Sequence, residues 1–138
     1  MQQLPLVSII TPSYNQGRFI EETIVSVLNQ DYPRIEYIVM DGGSTDQTLD
    51  ILGRYTGRLT WYSERDTGQS NAINKGLRLA KGDILAYLNS DDTYLPGAIV
   101  RAVKYLTAEN PSSHFVYGEA YHIAAEGTII ERYPTEPF

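Results

Sequence analysis

A chain of 138 residues with 42% hydrophobic and 20% charged content has the length and apolar fraction for one globular domain, residues 1–138, with a sizeable core and little room for a second. A net charge of -6, a pI near 4.8 and the lack of any lysine- and arginine-rich block exclude a general polyanion-binding surface, so no nucleic-acid partner is expected. With no cysteine for disulfides or thiolate metal sites, and no apolar run near the roughly 20 residues that cross a bilayer, the expectation is a soluble, cytoplasmic domain, at most peripheral to a membrane.

Taken in order, Leu6 to Thr11 is a β-rich apolar run halted by Pro12, and Ser13 to Gly17 form a polar turn. From Arg18 the apolar positions Phe19, Ile20, Ile24, Val27 and Leu28 share a helical face, which Asp31, Tyr32 and Pro33 bring to an end. Ile35 to Met40 predicts a second buried strand, followed at once by Asp41, Gly42, Gly43, Ser44, Thr45 and Asp46 ahead of Leu49, Ile51 and Leu52. Leu59 to Ser63 is a short third strand leading into Glu64 to Gln69. The periodic set Ala72, Ile73, Leu77 and Leu79 then marks a helix closed by Gly82. Asp83 to Leu88 predicts a fourth strand, and Leu95 to Leu106 a helix carried by Ile99, Val103 and Leu106. Beyond Asn110 and Pro111, the runs Phe115 to Ile123 and Thr128 to Tyr133 flank Ala124 to Gly127 as a hairpin, and Tyr133 to Phe138 reads as a tail or the start of a further segment. Strands alternating with helices at this spacing imply an α/β fold, a mainly parallel sheet with right-handed crossovers and a C-terminal antiparallel pair.

Each of the four strands ends in a polar signature: TPSYN, DGGSTD, SERDTGQ and NSDD. In an open α/β sheet these ends share one edge, where ligands bind; any single one is also explained by turn chemistry. Asp91 and Asp92 are adjacent carboxylates at the end of an apolar strand, which calls for a cation or hydrogen-bond donors, unless Asp92 or Thr93 simply caps the next helix. In DGGSTD, Asp46 fits a helix cap, and Asp41 is the better functional candidate. The chain has neither GxGxxG nor GxxxxGK[ST], so phosphates here would need a metal.

TPSYN, DGGSTD, ERDTGQSNAINKG and YLNSDD, in this order, resemble the family-2 inverting glycosyltransferases of GT-A fold, over about Val7 to Tyr133. The resemblance implies transfer of a sugar from a nucleotide-sugar donor, commonly a UDP-sugar, to a glycan or lipid-linked acceptor, with Mg or Mn on the diphosphate. It places Thr11, Pro12, Tyr14, Asn15 and Asp41 at the nucleoside, with Tyr14 able to stack on the base, and lines the nucleotide pocket with Asp66, Asn74 and Lys75. Asn89, Ser90 and Asp91 stand at the DxD-like position, which makes Asp91 the expected metal ligand and Asp92 a second ligand or its support. Two departures stand out: Gly42 occupies a position where many relatives carry a second acid, and Asn89 replaces the first acid of DxD.

An inverting displacement needs a general base for the acceptor hydroxyl. None of Glu119, Glu126, Glu131 and Glu136 suits that role, so no catalytic residue is assigned and the base is expected beyond Phe138. The chain therefore reads as the donor-binding part of a larger transferase for surface glycan or polysaccharide biosynthesis. The alternatives are a noncatalytic sugar-nucleotide-binding or assembly module and a purely structural domain whose strand ends are caps. Apolar surface left where an acceptor half would pack makes a homodimer possible.

Overall fold

The computed structural model describes residues 3–108 and 115–134. Asn110, Pro111 and Glu136 lie outside them. The chain divides into two compact units, residues 1–103 and 104–138.

The first unit carries a four-stranded, all-parallel sheet in the order β3-β2-β1-β4, built from β1 (Val7–Ser13), β2 (Ile35–Asp41), β3 (Thr60–Ser63) and β4 (Ile84–Tyr87). Helices α1 (Ile20–Leu28), α2 (Thr48–Arg54) and α3 (Gln69–Leu79) make the crossovers, and α4 (Ala98–Leu106) follows β4. The expected α/β architecture is therefore the observed one. Helices cover both faces of the central strands, which is why β1 is buried along its whole length, its polar Ser8, Thr11 and Ser13 included. On one face Val7, Ile9, Tyr37 and Val39 pack with Ile20, Ile24 and Val27 of α1, Ile51 and Leu52 of α2, and Ile99 and Val103 of α4. On the other, Ile10, Ile38 and Met40 meet Ala72 of α3. That helix lies close because of Gly76, where a Cβ would fall 2.5 Å from Ile10 Cγ2 and 3.2 Å from Met40 Cγ.

Two glycine and proline expectations are corrected. Pro12 does not halt β1, which continues to Ser13. The Ile10 carbonyl accepts from Leu88 on the β4 side and the Ser13 carbonyl from Gly42 on the β2 side. Alternate residues face alternate neighbours, so the Pro12 nitrogen points to the side where β4 has already ended, and no ladder bond is lost. Gly82 does not close α3, which gives way to extended backbone at Ala80. It lets the chain pass β1, since a Cβ there would lie 2.5 Å from Ser8 Oγ and 2.6 Å from Ser8 N. Ser8 Oγ accepts from the Gly82 amide (2.8 Å) and donates to Glu36 (2.5 Å), which also accepts from the Lys81 amide at 2.8 Å.

The second unit holds an antiparallel pair, β5 (Tyr121–Ile123) and β6 (Ile129–Arg132), in the hairpin position the alternation predicted. Gly127, at φ 87°, makes the turn, with Ala124 N donating to Thr128 O at 2.8 Å. Its strands are exposed on both faces and carry a His122–Glu131 contact at 3.0 Å and an Arg132–Glu119 ion pair. Among the described residues no helix is long and apolar enough to cross a membrane.

Candidate functional site

Registration of the parallel strands decides which polar residues meet. Ser13 pairs with Asp41 and Asp41 with Ser63, so β1, β2 and β3 end at one level. Sequential strands run outward from β1 to β3, and the chain then returns to place β4 on the other side of β1. The loops after β1 and β4 thus diverge at the point where the strand order reverses, the place where open α/β sheets form a crevice.

Asp41 organises the turn after β2. It is 2% exposed, and its Oδ2 accepts from Gly43 N (3.0 Å), Ser44 N (2.9 Å) and Ser63 Oγ (2.6 Å), while Oδ1 accepts from Ser44 Oγ at 2.5 Å. Gly43 takes φ 87° to allow this. The loop after β1 is clamped onto the same turn. Asn15, in the left-handed region at φ 51°, donates its amide to Ser44 Oγ (2.8 Å) and accepts from Thr45 N at 2.8 Å. Asp46 accepts from Gly17 N and Thr48 N, each at 2.9 Å, and from the Thr48 hydroxyl at 2.5 Å, which ties the turn ahead of α2; the expectation of a cap at Asp46 is corrected, since the N-cap is Gln47, one residue on. Desolvation works to raise its pKa, but these hydrogen bonds, led by the Thr48 hydroxyl, hold the carboxyl below its ordinary value. Thr11 and Pro12 are buried within β1; the Thr11 hydroxyl is shared with Tyr37 at 3.0 Å, and burial pushes the Tyr37 phenol far up. Tyr14 stands out from this buried set, 60% exposed.

Beside the turn after β2, Asp66 is half-buried with Oδ1 accepting from Gly68 N at 2.9 Å. Lys75 Nζ donates to Glu64 at 2.7 Å, and Asn74 on the same helix is exposed. Gln69, at the start of α3, donates to Asn89 Oδ1 (2.5 Å), and Asn89 donates in turn to Asp92 Oδ2 at 3.1 Å. Ser90 is buried, whereas Asp91 and Asp92 are exposed. The reading of Asp92 or Thr93 as a helix cap is corrected: α4 begins only at Ala98, and one of its first amides, Ile99 N, is taken by Gln30 Oε1 at 3.2 Å. Sequence reasoning missed Gln69, Ser44 and Ser63, whose roles arise from partners up to 29 positions away. It also missed Ser13, whose hydroxyl is buried at the strand end with no hydrogen-bond partner among the described residues.

Among the described residues no three acidic, histidine or cysteine side chains gather into a protein-only metal cage. Two exposed carboxylates with amide neighbours are instead a hard-oxygen donor set of the kind that takes Mg or Mn jointly with phosphate and water. An open groove of about 580 Å³ lined by Tyr37, Arg58 and Trp61 lies at the amino ends of β2 and β3, away from these residues.

Residues 8–135 match the model of the family described as glycosyl transferase family 2. The chain is 36% identical over 137 residues to a Bacillus subtilis (strain 168) glycosyltransferase provisionally named for teichuronic acid biosynthesis, with 96% of this chain and 54% of that protein covered. It is 40% identical over 116 residues to an uncharacterized Mycobacterium tuberculosis glycosyltransferase, covering 82% of this chain and 44% of the other. Among solved structures it is similar to the mannosyltransferase PcManGT from Pyrobaculum calidifontis in complex with GDP-Man and Mn2+, with TM-score 0.70, 33% identity, and 76% and 33% of the two chains covered. It is likewise similar to S. aureus TarS in complex with UDP-GlcNAc, with TM-score 0.67, 30% identity, and 73% and 31% covered. The chain thus spans about half, or less, of the length of these proteins.

Proposed function

The chain belongs to glycosyl transferase family 2 and has its GT-A fold, and from that membership we propose that it is the donor-binding part of an inverting transferase holding a UDP-type sugar nucleotide through Mg or Mn. The observation that carries this reading is the meeting of an exposed aromatic ring, Tyr14, a half-buried carboxylate, Asp66, and two exposed carboxylates, Asp91 and Asp92, on one edge of a parallel sheet where its strand order reverses.

Each residue has a role its surroundings suit. Tyr14 offers its exposed face for stacking on the base, while the buried Thr11 and Pro12 support it from within β1 as part of the strand that leads to it. Asp66 has one oxygen held by Gly68 N and the other available to a base N–H. Asp41 and Asn15 act by holding the turn and loop in place, since both Asp41 oxygens and the Asn15 Oδ1 and backbone N–H are already engaged within the protein. Asn74 and Lys75 line the nucleotide side of α3. Asp91 is the metal ligand, Asn89 steadies Asp92 beside it, and Ser90 anchors the turn from within. Asp91 and Asp92 would hold a divalent ion there, which when bound would supply positive charge to offset that developing on the diphosphate. The acceptor, a glycan or lipid-linked saccharide, and the base that takes its proton are assigned to a segment outside these residues; the relative named for teichuronic acid biosynthesis supports a polysaccharide setting. Calorimetric titration of UDP with and without Mn tests the reading. Binding that requires Mn and weakens at least about tenfold in Asp91→Ala is expected, as for loss of a charged contact; binding indifferent to both would refute it.

A further inference from the structure

Gly42 is buried at the end of β2. Unlike Gly43 at φ 87°, it does not occupy the left-handed region, so its backbone is open to any residue. Its being glycine is a matter of space. A Cβ at position 42 would lie 2.9 Å from Oδ2, 3.2 Å from Cγ and 3.3 Å from Oδ1 of Asp66. All three of these close contacts are to one carboxylate, which therefore fills the volume of the side chain that residue 42 lacks. Asp66 has only two side-chain torsions, and its Oδ1 is tied to the Gly68 amide at 2.9 Å, so it yields that volume only by giving up the bond. Its Oδ2 takes no hydrogen bond from a described residue and is the free acceptor of the pair.

We infer that Gly42 and Asp66 make up one carboxylate position that either residue can supply, and that Gly42 determines where the free Asp66 oxygen stands and hence which nucleobases the site accepts. This rests on the nucleotide reading proposed above. A carboxylate oxygen pairs with a ring N–H, which uracil presents at N3, and repels the ring acceptor that cytosine presents there. Uracil nucleotides are thereby favoured over cytosine nucleotides, by a device that depends on the absence of a side chain at position 42.

The test measures UDP and CDP affinity in the presence of Mn, by calorimetry, for the wild-type chain and four variants. Wild type is expected to prefer UDP at least about tenfold, and Asp66→Ala to lose that preference, the scale of one charge-assisted hydrogen bond. Gly42→Ala pushes the carboxylate aside and lowers UDP affinity several-fold while leaving CDP unchanged. Gly42→Asp combined with Asp66→Ala returns the acid from the other side and restores the preference to within about threefold of wild type. Melting temperatures supply an arm independent of nucleotide: Gly42→Ala lowers the melting temperature in the wild-type background and not in the Asp66→Ala background. A wild-type chain that binds neither nucleotide removes the nucleotide reading, and this inference with it. If wild type prefers UDP while Gly42→Ala keeps the full preference, or the exchanged pair does no better than Asp66→Ala alone, the inference is overturned and the nucleotide reading stands.

Discussion

Replacing Asp41 with asparagine probes the turn on which the site stands. The carboxylate is 2% exposed and accepts four hydrogen bonds, three of them on Oδ2. Asparagine can keep its oxygen toward Gly43 N, Ser44 N and Ser63 Oγ, but those bonds lose their charge assistance, roughly 1 kcal/mol each. Its NH2 group then faces Ser44 Oγ, which must reverse from donor to acceptor at a separation of 2.5 Å, too short for an N–H donor, while also accepting from Asn15 N. The sum is about 3 kcal/mol, or a fall in melting temperature of about 10 °C for a chain of this size. Ser63→Ala removes a single bond from an exposed hydroxyl and leaves the carboxylate three donors, so its cost is about 1 kcal/mol or less. Urea denaturation followed by circular dichroism measures both. An Asp41→Asn variant within about 0.5 kcal/mol of wild type, or one no worse than Ser63→Ala, would show that the buried carboxylate does not hold the turn.

Gly76→Val drives new methyl groups into Ile10 and Met40, with the first added carbon already 2.5 Å from Ile10 Cγ2, and is expected to cost about 2 to 3 kcal/mol in the same assay. Asp46 has a folded pKa below its ordinary value of 3.8, so its stabilisation is complete above pH 3.8 and is lost as pH falls through the folded value. Asp46→Asn is therefore less stable than wild type at neutral pH, with a gap that closes under acid; a gap independent of pH would contradict the hydrogen-bond account. Asn89→Asp loses the donor to Asp92 and sets carboxylate against carboxylate at about 3.1 Å, so the metal-free variant melts below wild type while Mn raises its melting temperature by a larger increment than it raises that of wild type. An unchanged Mn increment would separate residue 89 from the cation site. Burial pushes the Tyr94 phenol up to about 12, so an absorbance titration should show a phenol ionising well above the ordinary value of 10.0, and one that Tyr94→Phe removes.

The order of strands and helices was legible because burial leaves a periodic trace along the chain. Val7 to Ile10 and Ile38 to Met40 are covered on both faces and read as mainly apolar runs, broken only by Ser8, while Ile20, Ile24 and Val27 recur with the turn of a helix. The polar strand ends were legible for the same reason, as the points where those runs stop. The sequence by itself therefore determined the α/β class, the hairpin and the residue types along the functional edge. Only the tertiary structure decided what those residues do, because their partners are set by register and crossover rather than by neighbours in the chain. It paired Ser13 with Asp41 and Ser63 and turned Asp41 inward. Placing β4 beside β1 brought Gln69 to Asn89, and folding Asp66 against Gly42 made the absence of a side chain informative. Periodicity reports how deeply a residue is buried; which group it is buried against is fixed by long-range pairing, which leaves no local pattern to read.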